Sequence, residues 1–190
     1  MATTRLMPLH IGEGRSFSTA IEDIIDYVEN PEKTDYGKLI YGFECDTRTA
    51  DAEFTLAKRQ YINQTGRVRG ADDVIAYHFR QAFKPGEVTP EEAHEVGKQL
   101  ADEWLKGKYE YVIATHIDKG HCHNHIIFNA VNYVDFHAYR SNKRTYRELR
   151  QLSDEICKEH GLSVIPPSQN KGMDYKEYTE AKRGTSWKQK

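Results

Sequence analysis

Nothing in this sequence approaches the roughly eighteen consecutive apolar residues that a membrane-spanning helix needs, so no membrane role is expected. The first residues lack the charged-then-apolar order of a secretory signal. Cysteine is scarce: Cys45, Cys122 and Cys157 are scattered and odd in number, which fits a reducing cytoplasm better than a disulfide framework. A global basic excess is also missing. The 27 Lys and Arg are outnumbered by 29 Asp and Glu, so charge alone does not select a nucleic-acid partner.

What is present points to a globular chain. The 190 residues suffice for one domain with a real core and are short for two. Positive charge is local: five basic residues and one acid lie between Arg140 and Arg150, and Lys58, Arg59, Arg67 and Arg69 form a second group. Phe17, Ile21, Ile24, Ile25 and Val28 recur at helical spacing, with Thr19 and Glu22 as a capping box and Asn30-Pro31 as a stop. Leu39 to Cys45 reads as a strand, Ala52 to Asn63 as a helix, and Val74 to Phe83 as another strand. Thr89-Pro90-Glu91-Glu92 opens a helix whose stripe is Ala93, Val96, Leu100, Trp104 and Leu105. Tyr109 to Asp118 and His121 to Val134 read as two strands joined at Lys119-Gly120, and Thr145 to His160 as a final helix. This mixed order predicts an α+β sandwich of sheet and helices.

Four of the nine histidines fall within ten residues, as His116, His121, His123 and His125. Strand side chains alternate between faces, so His123 and His125 share one face, as do His116 and Asp118 on the neighbouring strand. A hairpin folds these faces together. His116, His123 and His125 can then converge on one divalent ion at about 2.0–2.2 Å. Nitrogen ligands suit manganese, zinc, nickel or cobalt, and magnesium if oxygen ligands join. Three neutral ligands leave the ion its charge and open positions, which favours Lewis-acid chemistry on a phosphate over a closed structural site. Asp118 is a candidate to accept a ring N–H and fix a tautomer. His121 sits at the turn and is a weaker candidate; His78 is unassigned. His10, His94, His137 and His160 read as solvated or structural.

The string His116-x-Asp118-x-x-His121-x-His123-x-His125-x-x-x-Asn129 resembles the third motif of conjugative and mobilisation relaxases, the HUH endonucleases. Ile24 to Thr34, with Tyr27 inside it, resembles their first motif. Ala76-Tyr77-His78, Phe83 to Ala93, Tyr146 to Leu149 and Gly161-Leu162 resemble relaxases of mobile elements in Gram-positive bacteria. The likeness spans Phe17 to Ile165. One position departs: Asn124, between the paired histidines, stands where the family name implies a bulky hydrophobe. It points away from the metal.

The resemblance implies a five-stranded antiparallel sheet flanked by helices, with the histidine strands at its centre. It implies a nuclease domain over 1–165, with 166–190 a polar basic tail or the start of a further C-terminal region. Tyr27 would attack a scissile phosphate at a transfer origin, leaving a 5′-phosphotyrosine and a free 3′-hydroxyl that can be resealed. Manganese or magnesium is the implied cofactor, single-stranded or hairpin origin DNA the partner, and accessory transfer proteins further partners. His121, Asn129 and His78 are candidates to support the ligands. A tyrosine of ordinary pKa near 10 needs a base or a cation's field near pH 7, and Asp118 can serve directly or through a histidine. From helical position alone Tyr27 is not distinguished from ordinary packing, and Tyr36 and Tyr41 are nearby rivals. Arg140, Ser141, Asn142, Lys143, Arg144 and Arg147 are donors suited to phosphates, and Phe136 and Tyr139 can stack on bases. A replication initiator of the same class, a non-catalytic metal-dependent DNA-binding module and a metal-dependent hydrolase are the alternatives.

Overall fold

Five strands, β1 (Thr3–His10), β2 (Ile40–Phe43), β3 (Val74–Ala82), β4 (Tyr111–His116) and β5 (His123–Asn129), build one sheet in the order β1-β3-β5-β4-β2. Every neighbouring pair is antiparallel. The computed structural model describes residues 2–166, so all but Pro166 of the expected tail lies outside the described residues. Helices α1 (Phe17–Val28) and α2 (Ala50–Thr65) cover one face; α3 (Pro90–Leu105) and α4 (Lys143–Glu159) cover the other. This is the α+β architecture expected from the sequence. No helix among the described residues is long and apolar enough to cross a membrane.

Covering both faces buries β4 and β5 along their whole length. Alternation divides β5 between two cores. Ile126 and Phe128 pack with Ile113, Leu100 and Leu149 on the α3–α4 side; Ile127 packs with Val112, Ile21 and Phe54 on the α1–α2 side. Each such side chain contributes about 1.5–3 kcal/mol by leaving water, so the central strands are the most firmly held part of the chain. His123 and His125 share the α1–α2 side with Ile127.

Several boundaries differ from the sequence reading. Ser16, not Thr19, caps α1: its hydroxyl accepts from the Thr19 N–H at 3.1 Å. Strand β1 carries little signal in the sequence, because its burial alternates only partially and Pro8 interrupts it. An edge strand tolerates proline because one row of its N–H groups needs no partner. Strand β5 ends at Asn129 rather than Val134. There the Asn129 carbonyl oxygen of the side chain accepts from Val131 N–H, and the chain folds into a small bridge between Val131 and Ala138. The turn at Lys119-Gly120 widens into a loop over 117–122. Helix α3 starts as expected: Thr89 and Glu92 cap each other reciprocally, at 3.2 and 2.9 Å.

The departure at Asn124 has a structural explanation. Its amide donates to the Gln81 side chain at 3.1 Å and to the Ala93 carbonyl at 2.6 Å, and it accepts from the Thr115 hydroxyl at 2.7 Å. Gln81 continues the network to Ser153 on α4. Helix α3 crosses here at Gly97, where a Cβ would stand 2.4 Å from the Asn124 nitrogen. A polar β5 and a glycine on α3 are one solution to a close helix–sheet approach.

Candidate metal centre and nucleophile

The hairpin brings His116 directly opposite His123, with His125 two residues further along β5. Candidate ligand nitrogens of His116, His123 and His125 all lie within 4.8 Å of one another, and all three residues are buried. Ring centroids are 4.3 Å apart for His116 and His125, and 5.0 Å for His123 and His125. Two rings are oriented from behind. His116 Nε2 donates to the Val28 carbonyl at the end of α1, at 2.7 Å. His125 Nδ1 meets His78 Nε2 at 2.7 Å. That leaves His125 Nε2 buried with no hydrogen-bond partner. A buried polar atom without a partner carries a desolvation cost of about 1–3 kcal/mol, and a bound cation removes it. The donor set therefore fits a divalent ion.

Electrostatics agree. Burial pushes His123 down to about 4 and His125 down to about 2, with the neighbouring imidazoles adding to the effect. His116 is lowered by burial too, against the opposing pull of its bond to Val28. His78 is depressed to about 4 by burial and the Arg80 guanidinium. All are neutral near pH 7 and have lone pairs to offer.

Tyr27 projects from the last turn of α1, half exposed. Its ring stands edge-on to His116 at 6.2 Å and to His125 at 6.1 Å, and Lys33 Nζ lies 4.6 Å above it. The link following α1 is anchored to β4: Ile117 N–H donates to the Lys33 carbonyl and Thr115 N–H to Leu39. Among the described residues no other tyrosine ring contacts the cluster. Tyr36 is 85% exposed, and Tyr41 packs on Tyr111 beneath Lys98. Lys33 lies beyond the end of α1, so no helical spacing signals its contact with Tyr27.

Other expected residues are distributed differently. Asp118 is exposed, and none of the described histidine hydrogen bonds reaches it; only its charge is felt, raising His116 and His123. The part of ring acceptor falls instead to the Val28 carbonyl, because the loop over 117–122 carries Asp118 off the strand. Asn129 is on the histidine face but about 13 Å along β5 from His125. Its amide binds Glu110 at 2.7 Å and the Phe54 carbonyl, so it supports the far end of the sheet and not the cluster. His121 stacks on His123 at 5.2 Å. Arg140, Ser141, Asn142, Lys143, Arg144 and Arg147 are exposed; Asn142 caps α4, and Arg144 pairs with Glu148 at 2.7 Å. His94 is bound to Thr115, His10 to the Asp72 carbonyl, His137 to Asp135 and His160 to Gln99.

Known proteins share this architecture. The relaxase domain of MobM, Mn-bound and bound to plasmid oriT DNA in its crystal structure, superposes with a TM-score of 0.64 over 96% of this chain and 98% of its own, at 11% identity. A structure solved for the molecular basis of vancomycin resistance transfer in Staphylococcus aureus gives 0.57 over 90% of this chain and all of its own, at 13% identity. By sequence, protein rlx of Staphylococcus aureus is 36% identical over 97% of this chain and 50% of its own length. The group II intron-interrupted relaxase LtrB of Lactococcus lactis is 32% identical over 84% of this chain and 34% of its own. The chain thus spans about half or less of these relatives. Across residues 27–162 it matches the nuclease domain of the MobA/VirD2-like relaxases, and it belongs to that family.

Proposed function

We propose that the chain is the nicking domain of a DNA relaxase, acting on single-stranded or hairpin DNA at the transfer origin of a mobile element. One observation carries this reading. A half-exposed tyrosine ring stands edge-on to two of three clustered, buried, neutral histidines, and one of those two has a nitrogen left without a partner.

Tyr27 Oη loses its proton to solvent and attacks the scissile phosphorus; the bond to the 3′-oxygen breaks, that oxygen takes a proton from solvent to leave as a hydroxyl, and the 5′-phosphate stays on the tyrosine. The released 3′-hydroxyl can attack the phosphotyrosine, so the strand is resealed without an energy source. His116, His123 and His125 would hold a divalent ion, manganese or magnesium, with zinc, nickel and cobalt compatible with the same nitrogens. Such an ion supplies Lewis-acid neutralisation of the phosphate oxygens. Lys33 adds positive charge beside the tyrosine, where an anionic nucleophile and an anionic phosphate would otherwise repel each other. His78 and the Val28 carbonyl fix two of the rings, and Asp118 at the rim adds negative charge that attracts a cation. Arg140, Ser141, Asn142, Lys143, Arg144 and Arg147 contact the DNA backbone. The working unit is 1–165, in a bacterial cytoplasm that keeps the three thiols free, with accessory transfer proteins as further partners.

A nicking assay tests it: labelled single-stranded origin DNA, manganese, and wild type beside Tyr27→Phe on a denaturing gel. A protein-linked band is expected in wild type and absent from the variant. Cleavage that survives the substitution would sink the tyrosine mechanism in favour of metal-dependent hydrolysis. Binding without cleavage in both proteins would favour a non-catalytic binding module.

A further inference from the structure

At the end of the sheet opposite the histidines lies a cleft of about 480 Å³ between the C-terminus of α2 and the loop following β5. Its size is that of a small-molecule site, far larger than a single ion needs. Arg67, Arg69 and Arg140 line it together with Tyr61, Phe136 and Tyr139. The buried Lys58 is neutralised by Asp73 at 2.7 Å, whereas no described carboxylate pairs with any of the three arginines. The charge on offer is therefore theirs, and it is exposed.

The loop carrying Phe136 is built rigidly. Asn132 Oδ1 accepts from the Val134 and Asp135 N–H groups, Tyr139 N–H donates to the Ala130 carbonyl at 2.7 Å, and Val131 bridges Ala138. Phe136 itself is held at φ 55°, a left-handed conformation that non-glycine residues rarely adopt and that often marks a working position. From here the chain returns to the histidine end. Tyr139 packs edge-on to Tyr77 in the first half of β3, while the Tyr146 hydroxyl donates to the Thr4 carbonyl. Thr4 neighbours Thr3, which pairs with Ala82, itself opposite His123. Arg140 and Lys143 thus form a basic track from the cleft towards the end of the sheet that holds the cluster, while Arg144 beside them is paired with Glu148.

We infer that the cleft is a nucleotide subsite for single-stranded DNA, taking one base against Phe136 and its flanking phosphates on Arg67, Arg69 and Arg140, with Tyr139 held behind the loop by Tyr77, Tyr109 and Phe128. The inference rests on the DNA-handling function proposed above. His125 and Ala130 are five residues apart, about 17 Å along β5, so the subsite engages DNA several nucleotides from the scissile phosphate. Its role is to hold the strand, not to cut it. Base stacking gives tolerance of sequence, and the arginines make the binding sensitive to salt.

The test is equilibrium binding of a fluorescent oligothymidylate about 25 nucleotides long, longer than a typical single-strand site. Wild type, Arg67→Ala/Arg69→Ala/Arg140→Ala, and the control Lys158→Ala on the last turn of α4 are compared over a salt series, after circular dichroism has verified folding. Affinity is expected to fall at least about tenfold in the triple variant, with the salt slope reduced by about two, since each lost phosphate contact removes about 0.7. The control should match wild type. Photo-crosslinking of a strand carrying iodouracil should label the peptide spanning 131–140. Unchanged affinity and slope, or crosslinks elsewhere only, would overturn the subsite. Complete displacement of the strand by thymidine monophosphate would overturn it too, in favour of a small-nucleotide site. Covalent linkage is scored separately on origin DNA. Lost linkage with an intact cleft effect refutes the nicking reading alone, and preserved linkage without a cleft effect refutes the subsite alone.

Discussion

Strand β5 carries two kinds of buried polar residue side by side. Asn124 faces α3 and α4 with its amide and carbonyl both occupied by Gln81, Ala93 and Thr115. His123 and His125 face the opposite way, close to Tyr27, and one His125 nitrogen has no partner at all. Burial alone does not separate them, since all three are almost inaccessible. Satisfaction does. A buried group whose hydrogen bonds are complete holds two layers together, whereas an imidazole nitrogen left incomplete beside two other buried histidines is placed to take a cation.

The sharpest way to break this comparison is His125→Ala. The covalent tyrosine–DNA product is expected to fall at least about a hundredfold. Manganese at about a hundred times its Kd should stabilise wild type by about 2.7 kcal/mol in thermal melts and leave the variant unmoved. A variant that still gains stability from manganese would place the ion elsewhere.

Next in size is Asn124→Leu, which strips partners from Gln81, Thr115 and the Ala93 carbonyl and crowds Gly97. A loss of about 2–4 kcal/mol in urea unfolding is expected, with linkage activity per folded molecule unchanged. Activity falling more steeply than stability would mean that the α3 side also serves the reaction.

The smallest effect concerns Glu29, which also has a buried oxygen without a partner but lies outside the cluster. Burial raises it to about 7, with Asp26 and Asp46 adding repulsion against the hydrogen bond from Thr47. The folded chain therefore keeps a proton that the unfolded chain gives up near 4.5. Stability linked to this group is full below the lower value and is lost as pH rises through the upper one. Glu29→Gln should stabilise the protein by about 1 kcal/mol above pH 7, discounted for partial exposure, and by almost nothing at acid pH. A simultaneous drop in nicking would bring Glu29 into the site.

Much of the fold could be read in advance because it depends on local chemistry. The α3 cap, the apolar stripes and the paired histidines each involve residues a few positions apart, where periodicity and hydrogen-bond reach are decisive. Strand β1 escaped because an edge strand needs neither a full apolar alternation nor freedom from proline. Strand alternation places Asp118 on the face of His116, but the strand ends at that histidine and the loop takes the carboxylate into solvent. The residues proposed to meet DNA are legible only as charge, since a free exposed arginine and one in a helix-surface pair look alike in sequence; Arg144 is paired.

By itself the sequence determined which residue types could bind metal and that His123 and His125 share a face, because a strand's period of two depends only on the backbone. It also determined the family, through strings too specific to arise from composition. Tertiary structure alone decided that Tyr27, rather than Tyr36 or Tyr41, stands at the histidines, that Val28 and His78 orient two rings, and that Lys33 lies over the nucleophile candidate. Those contacts join α1, its following link, β3 and the central hairpin across as many as 88 positions of chain. Only the packing of helices onto a sheet brings groups so distant in sequence to one point.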